Sequence, residues 1–210
     1  MTAPDADRAA GTLPDDAARI DSSLRQSLAQ GHYANAGTSE DIASPQSREE
    51  AVRVSNAGVQ RVEILAGNVD YLTITAFFHP DEAGDAIAAA IHMIRHAGAL
   101  ILDMRDNGGG SPDTMALIAS YCFDRAGIPL AEITPRSGEA QHYVTASGIV
   151  DRDGKPPVYV LTSAHTWSGG EGLAYILQEH HRAEIIGETT VGAALELERY
   201  IVSPWRSCCV

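Results

Sequence analysis

The chain has 210 residues, enough for one domain of ordinary size with an appendage and for a continuous apolar core. Hydrophobic residues make up 44%, which fits a globular fold; 28 acidic against 15 basic side chains, with no Lys/Arg run, give a net charge of −13 that argues against a nucleic-acid or anionic-membrane surface. The opening MTAPDADRAAGTLPDD has neither a basic start nor an apolar segment, and no stretch of about 18 apolar residues exists for a membrane span, so a soluble, cytoplasmic protein is expected. Cys122, Cys208 and Cys209 form neither a disulfide framework nor a zinc motif, and neither metal nor cofactor is expected.

In chain order, residues 1–16 are rich in Ala, Asp and Pro and read as a mobile lead-in, 19–30 as one helix, and 35–48 as a polar linker or exposed loop. The expected organisation is therefore a partly helical segment over 1–57 and a compact domain over 58–210. From there strands and helices alternate, the mark of an α/β fold. Strands are predicted over 59–65 and 69–77, joined at Ala66-Gly67-Asn68, followed by a helix over 81–96 capped by Asp81 and lined by Ile87, Ile91 and Ile94. The apolar run ALILDM (99–104) predicts a buried strand. It leads into Asp106-Asn107-Gly108-Gly109-Gly110, after which Ser111 supplies an N-cap and Pro112 the first position of a helix over 112–123. Short strands are predicted at 129–134 and 142–145, then a strand at 157–161, a helix over 171–178 and a strand at 183–186.

Two glycine-containing loops then stand between a strand's C-terminus and a helix's N-terminus, the edge where open α/β sheets place their sites: the triple glycine and the turn Trp167-Ser168-Gly169-Gly170. Acyl transfer needs a nucleophile, a base and donors aimed where a carbonyl oxygen becomes negative. The hydroxyl of Ser168 with the N–H groups of Gly169 and Gly109 supplies the first and third. The competing readings are structural. A serine at a helix start is more often a cap than a nucleophile; the glycine turn lacks the spacing of a phosphate-binding loop; and Thr166 breaks the G-x-S-x-G elbow of α/β-hydrolases, whose Asp and His would have to fit into the residues after Ser168. His92 and His96, four apart on one helix face, read as solvent-facing rather than metal ligands, and Asp103, Arg105 and Asp106 as loop-bracing groups rather than a carboxylate dyad.

LILDMRDNGGGSPDTMALIASYCFD (100–124) followed by VYVLTSAHTWSGGEGLAYILQEHHRAEIIGETTVGAA (158–194) resembles the tail-specific, or C-terminal processing, serine peptidases, and more closely their branch with the tricorn core and the interphotoreceptor retinoid-binding modules. The resemblance spans about residues 59–194 and implies a Clp protease/crotonase-like spiral of ββα units. It implies Ser168 as nucleophile, an oxyanion hole from Gly169 and the glycines Gly108, Gly109 and Gly110, and a cleft lined by Gly108, Gly110, Trp167 and the segment GETTVGA with Thr190. In the processing branch a lysine ends that segment; here Ala193 stands there, and the one lysine, Lys155, lies in a polar turn, so a Ser/Lys dyad is not expected. The tricorn-like branch uses a histidine from the N-terminal part, for which His32 is the match, and a downstream glutamate without an obvious equivalent. The ending SPWRSCCV departs from the family's further strands, so a shortened relative, or a truncated or out-of-frame C-terminus with an unpaired sheet edge at 195–202, is expected.

The function so implied is a serine-type peptidase acting on a peptide or small acyl substrate, with homo-oligomerisation left open. The alternatives are a lipophilic-ligand or peptide binding module on the same fold, and crotonase-like handling of acyl-thioesters, which the serine at the helix junction disfavours.

Overall fold

A computed structural model describes residues 45–134, 138–147, 156–193, 199–203 and 206–209. The predicted helix over 19–30 lies outside the described residues, as do His32 and Lys155. The chain divides into two units, one comprising residues 49–196 and the other 1–48 with 197–210.

The larger unit holds a five-stranded sheet whose strands lie side by side in the order 59–65, 69–74, 99–103, 158–162 and 183–187. Helix α1 (Pro45–Val54) begins within the last four residues of the stretch 35–48 expected as a linker, and its Val52 packs against the core. A 3-10 turn (Asn56–Gly58) then leads to β1 (Val59–Leu65), which pairs antiparallel with β2 (Val69–Ile74) across the predicted turn, where Gly67 and Asn68 have φ of 84° and 60°. The remaining partners are parallel, as crossover helices require: β2 with β3 (Ala99–Asp103), β3 with β6 (Val158–Thr162), and β6 with β7 (Ala183–Gly187). The register aligns Leu72, Leu102, Val160 and Ile185 across four strands.

The crossovers are α2 (Pro80–Met93), α3 (Pro112–Cys122) and α4 (Gly169–Glu179), with α3 packed against both α2 and α4. Asp81 is not the cap of α2. His79 is, with its Nδ1 accepting from the Asp81 N–H while Glu82 accepts from the His79 N–H and Pro80 opens the first turn. Inserted between α3 and β6 is a separate hairpin of β4 (Pro129–Ile133) and β5 (Gln141–Val144).

The core lies between the sheet and these helices. Leu72, Ile74, Leu102, Met104 and Val160 from the strand side meet Ile87, Ile94, Ile118, Leu173 and Leu177, each about fully enclosed and each contributing roughly 1.5–3 kcal/mol of apolar burial. β3 was expected to be buried throughout, but Leu100 and Leu102 are buried while the intervening Ile101, in register with half-buried Tyr71 and Tyr159, is only partly covered. Strand alternation sends these side chains to the opposite face from the helices that cover Leu102.

In the other unit, β8 (Arg199–Ser203) pairs antiparallel with β9 (Arg206–Cys209). Of the stretch 195–202 expected to carry an unpaired edge, residues 199–202 are described and pair on one side with Arg206–Cys209 from the ending SPWRSCCV; residues 195–198 lie outside the described residues. Among the described residues, no helix is long and apolar enough to cross a membrane and no group of His, Cys, Asp or Glu could hold a metal ion.

Candidate active site

At the carboxyl ends of β3 and β6 the two glycine loops meet, and the contact is set by backbone rather than by long side chains. The Trp167 carbonyl accepts from the Gly170 N–H at 2.9 Å, which makes residues 167–170 a tight turn with Ser168 and Gly169 in its centre. Ser168 has φ 52° and ψ −120°, the angles of the first central position of a type II′ turn. Glycine normally occupies that position because a Cβ there is crowded, so a serine held in it is a strained residue at a functional-looking place. Helix α4 starts directly behind Ser168.

The triple glycine lies against this turn. A Cβ placed on Gly109 would fall 2.7 Å from Ser168 Cβ, 2.6 Å from Gly169 N and 2.8 Å from the Trp167 carbonyl oxygen, so no side chain fits at 109. Gly110 is equally constrained from the other side, since a Cβ there would sit 2.1 Å from the Phe77 carbonyl oxygen. The chain following β2 fixes this bend: Phe77 N–H donates to the Gly109 carbonyl at 2.8 Å, Ser111 N–H to the Phe77 carbonyl at 2.7 Å, and Gly108 N–H to the Thr75 carbonyl at 3.0 Å.

Asn107 joins the two loops. Fully buried, it donates from Nδ2 to the Ile74 carbonyl and accepts at Oδ1 from the Gly109 N–H, both at 2.8 Å, while its own carbonyl takes the Trp167 N–H at 2.9 Å. This buried amide escaped the sequence reading, which stopped at the glycines; the only signal was its place directly before them.

The same contact corrects one expected donor. The Gly109 N–H does not face the Ser168 side because it is spent on Asn107 Oδ1 inside the bend. Among the described residues the N–H groups of Gly110 and Gly169 have no acceptor, and Gly110 N lies 3.3 Å from where a Cβ of Gly169 would stand. Gly110 is exposed, and Gly169 and Ser168 are half-buried. Two unpaired donors next to a hydroxyl can together receive an oxygen that gains negative charge.

Around this centre the segment after β7 folds back over the Ser168 turn. The Val191 N–H donates to the Thr166 carbonyl at 3.3 Å, Thr162 Oγ1 to the Glu188 carbonyl at 2.9 Å, and the Ala164 N–H to Glu188 Oε2 at 3.1 Å. Thr190 and Trp167, both half-buried, are the chain neighbours of Val191 and Thr166, which the first of these bonds joins.

Below it, Asp103 and Arg105 form the brace expected of them. Burial raises the Asp103 carboxyl, but the Arg105 guanidinium at 2.8 and 2.9 Å, the Tyr71 hydroxyl at 2.5 Å and the Arg105 N–H outweigh it and hold Asp103 at about 2. The pairing pushes Arg105 up in turn, and burial followed by the Asp103 contact raises Tyr71. His92 and His96 are exposed, and His165 is an exposed group 3.9 Å from Asp106 Oδ1.

The family model of peptidase family S41 matches residues 68–203, from the β1–β2 turn through both glycine loops. The chain belongs to peptidase family S41. It is 33% identical over 132 residues to the carboxyl-terminal-processing protease of Synechocystis sp., a match that covers 61% of this chain and 29% of the relative. It is 32% identical over 128 residues to the chloroplastic carboxyl-terminal-processing peptidase 2 of Arabidopsis thaliana, covering 59% and 24%. Its fold is similar to the photosystem II D1 C-terminal processing protease, with a TM-score of 0.53 and 25% identity over 73% of this chain and 40% of that one, and to an S41 protease candidate from Bacteroides fragilis, with a TM-score of 0.61 and 22% identity over 72% and 45%. The chain therefore spans under a third of the length of these two curated relatives. These S41 matches bear out the resemblance to the processing peptidases and the mixed α/β, mostly parallel architecture with which a Clp/crotonase-like spiral is consistent. They do not select the tricorn and retinoid-binding branch.

Proposed function

We propose that this S41 chain is a serine-type peptidase that cleaves peptide bonds through an acyl-enzyme on Ser168. The observation that carries the reading is the packing of a strained, type II′ serine against a side-chain-free bend, with the unpaired Gly169 and Gly110 amides beside it.

In this mechanism Ser168 Oγ attacks the scissile carbonyl carbon while a base takes its proton. The carbonyl π electrons move to oxygen, and the oxyanion is received by the Gly169 and Gly110 N–H groups. Collapse of the tetrahedral intermediate breaks the C–N bond, the amine leaves with a proton returned by the base, and water repeats the sequence on the ester to release the acid. His32 is the histidine that the sequence resemblance offers for this base. Removing the nucleophile from such a constellation costs up to about a millionfold in turnover.

The test is labelling of the full, folded chain with a fluorophosphonate, followed by peptide mass spectrometry. Modification of Ser168 in the parent and its absence in Ser168→Ala support the reading, and His32→Ala is expected to slow labelling at least a hundredfold. A folded parent that takes no label at Ser168 sinks it.

A further inference from the structure

Glu171 is a buried acid that the proposed chemistry does not use. It is 6% exposed, it lies in the first turn of α4, and its carboxylate is filled by backbone donors from two different segments. Oε2 accepts from the Ser168 N–H at 2.9 Å and from the Ala193 N–H at 2.9 Å, and Oε1 accepts from the Gly192 N–H. One oxygen thus bonds both the amide of the strained serine and an amide 25 residues later in the chain, and the other oxygen holds that later segment a second time.

From this we propose that Glu171 is a positioning residue, the clamp that holds the Ser168 turn in its reactive conformation and docks residues 192–193 beside it as a wall of the cleft. The inference rests on the reading of Ser168 as the nucleophile only for its kinetic consequence; the clamp itself is a statement about three amides. Part of the hold is local: Gly170 N–H donates to the Trp167 carbonyl, Gly172 N–H to the Ser168 carbonyl, and Ser168 and Glu171 form a capping box in which the Ser168 side chain faces the Glu171 N–H. What the local bonds do not supply is the tie to residues 192–193, and Ser168 occupies a backbone region that a side-chained residue leaves unless neighbouring contacts hold it there. Asn107 restrains the turn from the triple-glycine side, through Trp167. Glu171 restrains it from the opposite side through Ser168 itself, with charge-assisted hydrogen bonds, the stronger kind. The carboxylate accepts three N–H donors, so it is a structural acceptor in this arrangement and not the base that takes the serine proton. An aspartate at 171 would keep the charge but end one methylene short, and a glutamine would keep the reach with one oxygen.

The experiment compares the full 210-residue chain with Glu171→Asp and Glu171→Gln. Amide hydrogen exchange is followed at Gly192 and Ala193, with the amides of β3 as the control for the fold, and fluorophosphonate labelling of Ser168 is measured against probe concentration to separate affinity from maximal rate. Glu171→Asp is expected to speed exchange at Gly192 and Ala193 at least tenfold with β3 unchanged. Its maximal labelling rate is expected to fall about 10- to 100-fold, the scale of a small misplacement of a reacting group, at a half-saturating probe concentration within about threefold of the parent. Glu171→Gln is expected to fall between the two. Parent-like exchange at Gly192 and Ala193 in both variants overturns the clamp, and so does a parent-like maximal labelling rate. Loss of β3 protection in both variants overturns it as well, because Glu171 would then support the whole fold. A parent that takes no label refutes the nucleophile reading alone, and the exchange measurements still decide the clamp.

Discussion

Replacing Ser168 by glycine should stabilise the fold while abolishing labelling, an unusual pairing that follows from the turn. At φ 52° and ψ −120° the serine Cβ is crowded by its own backbone. Holding a side-chained residue in such a region costs on the order of 1–3 kcal/mol, and glycine removes that cost. Against it stands the greater freedom of glycine in the unfolded chain, worth about 0.4–1 kcal/mol. The difference leaves Ser168→Gly more stable by about 1 kcal/mol. Ser168→Ala is the control, since it deletes the same hydroxyl but keeps the Cβ and therefore the strain. Urea unfolding followed by tryptophan fluorescence should place Ser168→Gly above Ser168→Ala, and a melting curve should separate them by about 2–4 °C for a chain of this size. Neither variant should react with a fluorophosphonate at residue 168. Equal stability of the two variants, or a less stable glycine variant, would refute the strain argument.

The remaining predictions concern the groups beneath the site. Asn107→Ala leaves the Ile74 carbonyl and the Gly109 N–H without their buried partner, and should lower unfolding stability by roughly 2–4 kcal/mol in urea titrations while also slowing labelling of Ser168. Asp103 has a folded pKa of about 2 against an ordinary 3.8, so the unfolded chain takes up this proton first as acid is added. Its contribution is therefore complete above about pH 4 and is lost as the pH falls towards 2. Asp103→Asn should lower stability at neutral pH and flatten that part of the acid limb, read from urea midpoints across the range.

Much of the architecture is written in local pattern. The alternation of β-branched runs with helical spacing places β1, β2, β3, β6 and β7 and the three crossover helices within a few residues, because each strand must turn an apolar face to the core and each helix an apolar stripe. The two glycine loops were legible for a related reason: a backbone that passes close to another leaves no room for side chains, and the chain records that as glycine at 109 and 110.

What the sequence could not decide is which polar atoms these loops spend on one another. Gly108, Gly109 and Gly110 are alike as letters, yet only contacts from the chain following β2 and from Asn107 determine that the amides of Gly108 and Gly109 are paired while, among the described residues, that of Gly110 stays unpaired. Glu171 reads as an ordinary acidic residue in the first turn of a helix until the distant Gly192 and Ala193 amides close on it. His79 displaces Asp81 as the cap of α2 through a reciprocal bond with Glu82, and α1 starts at Pro45, inside the end of the stretch whose composition indicates a linker. Periodicity is a property of neighbours along the chain, so it fixes the elements; hydrogen-bond partnership is a property of neighbours in space, and only the folded chain assigns it.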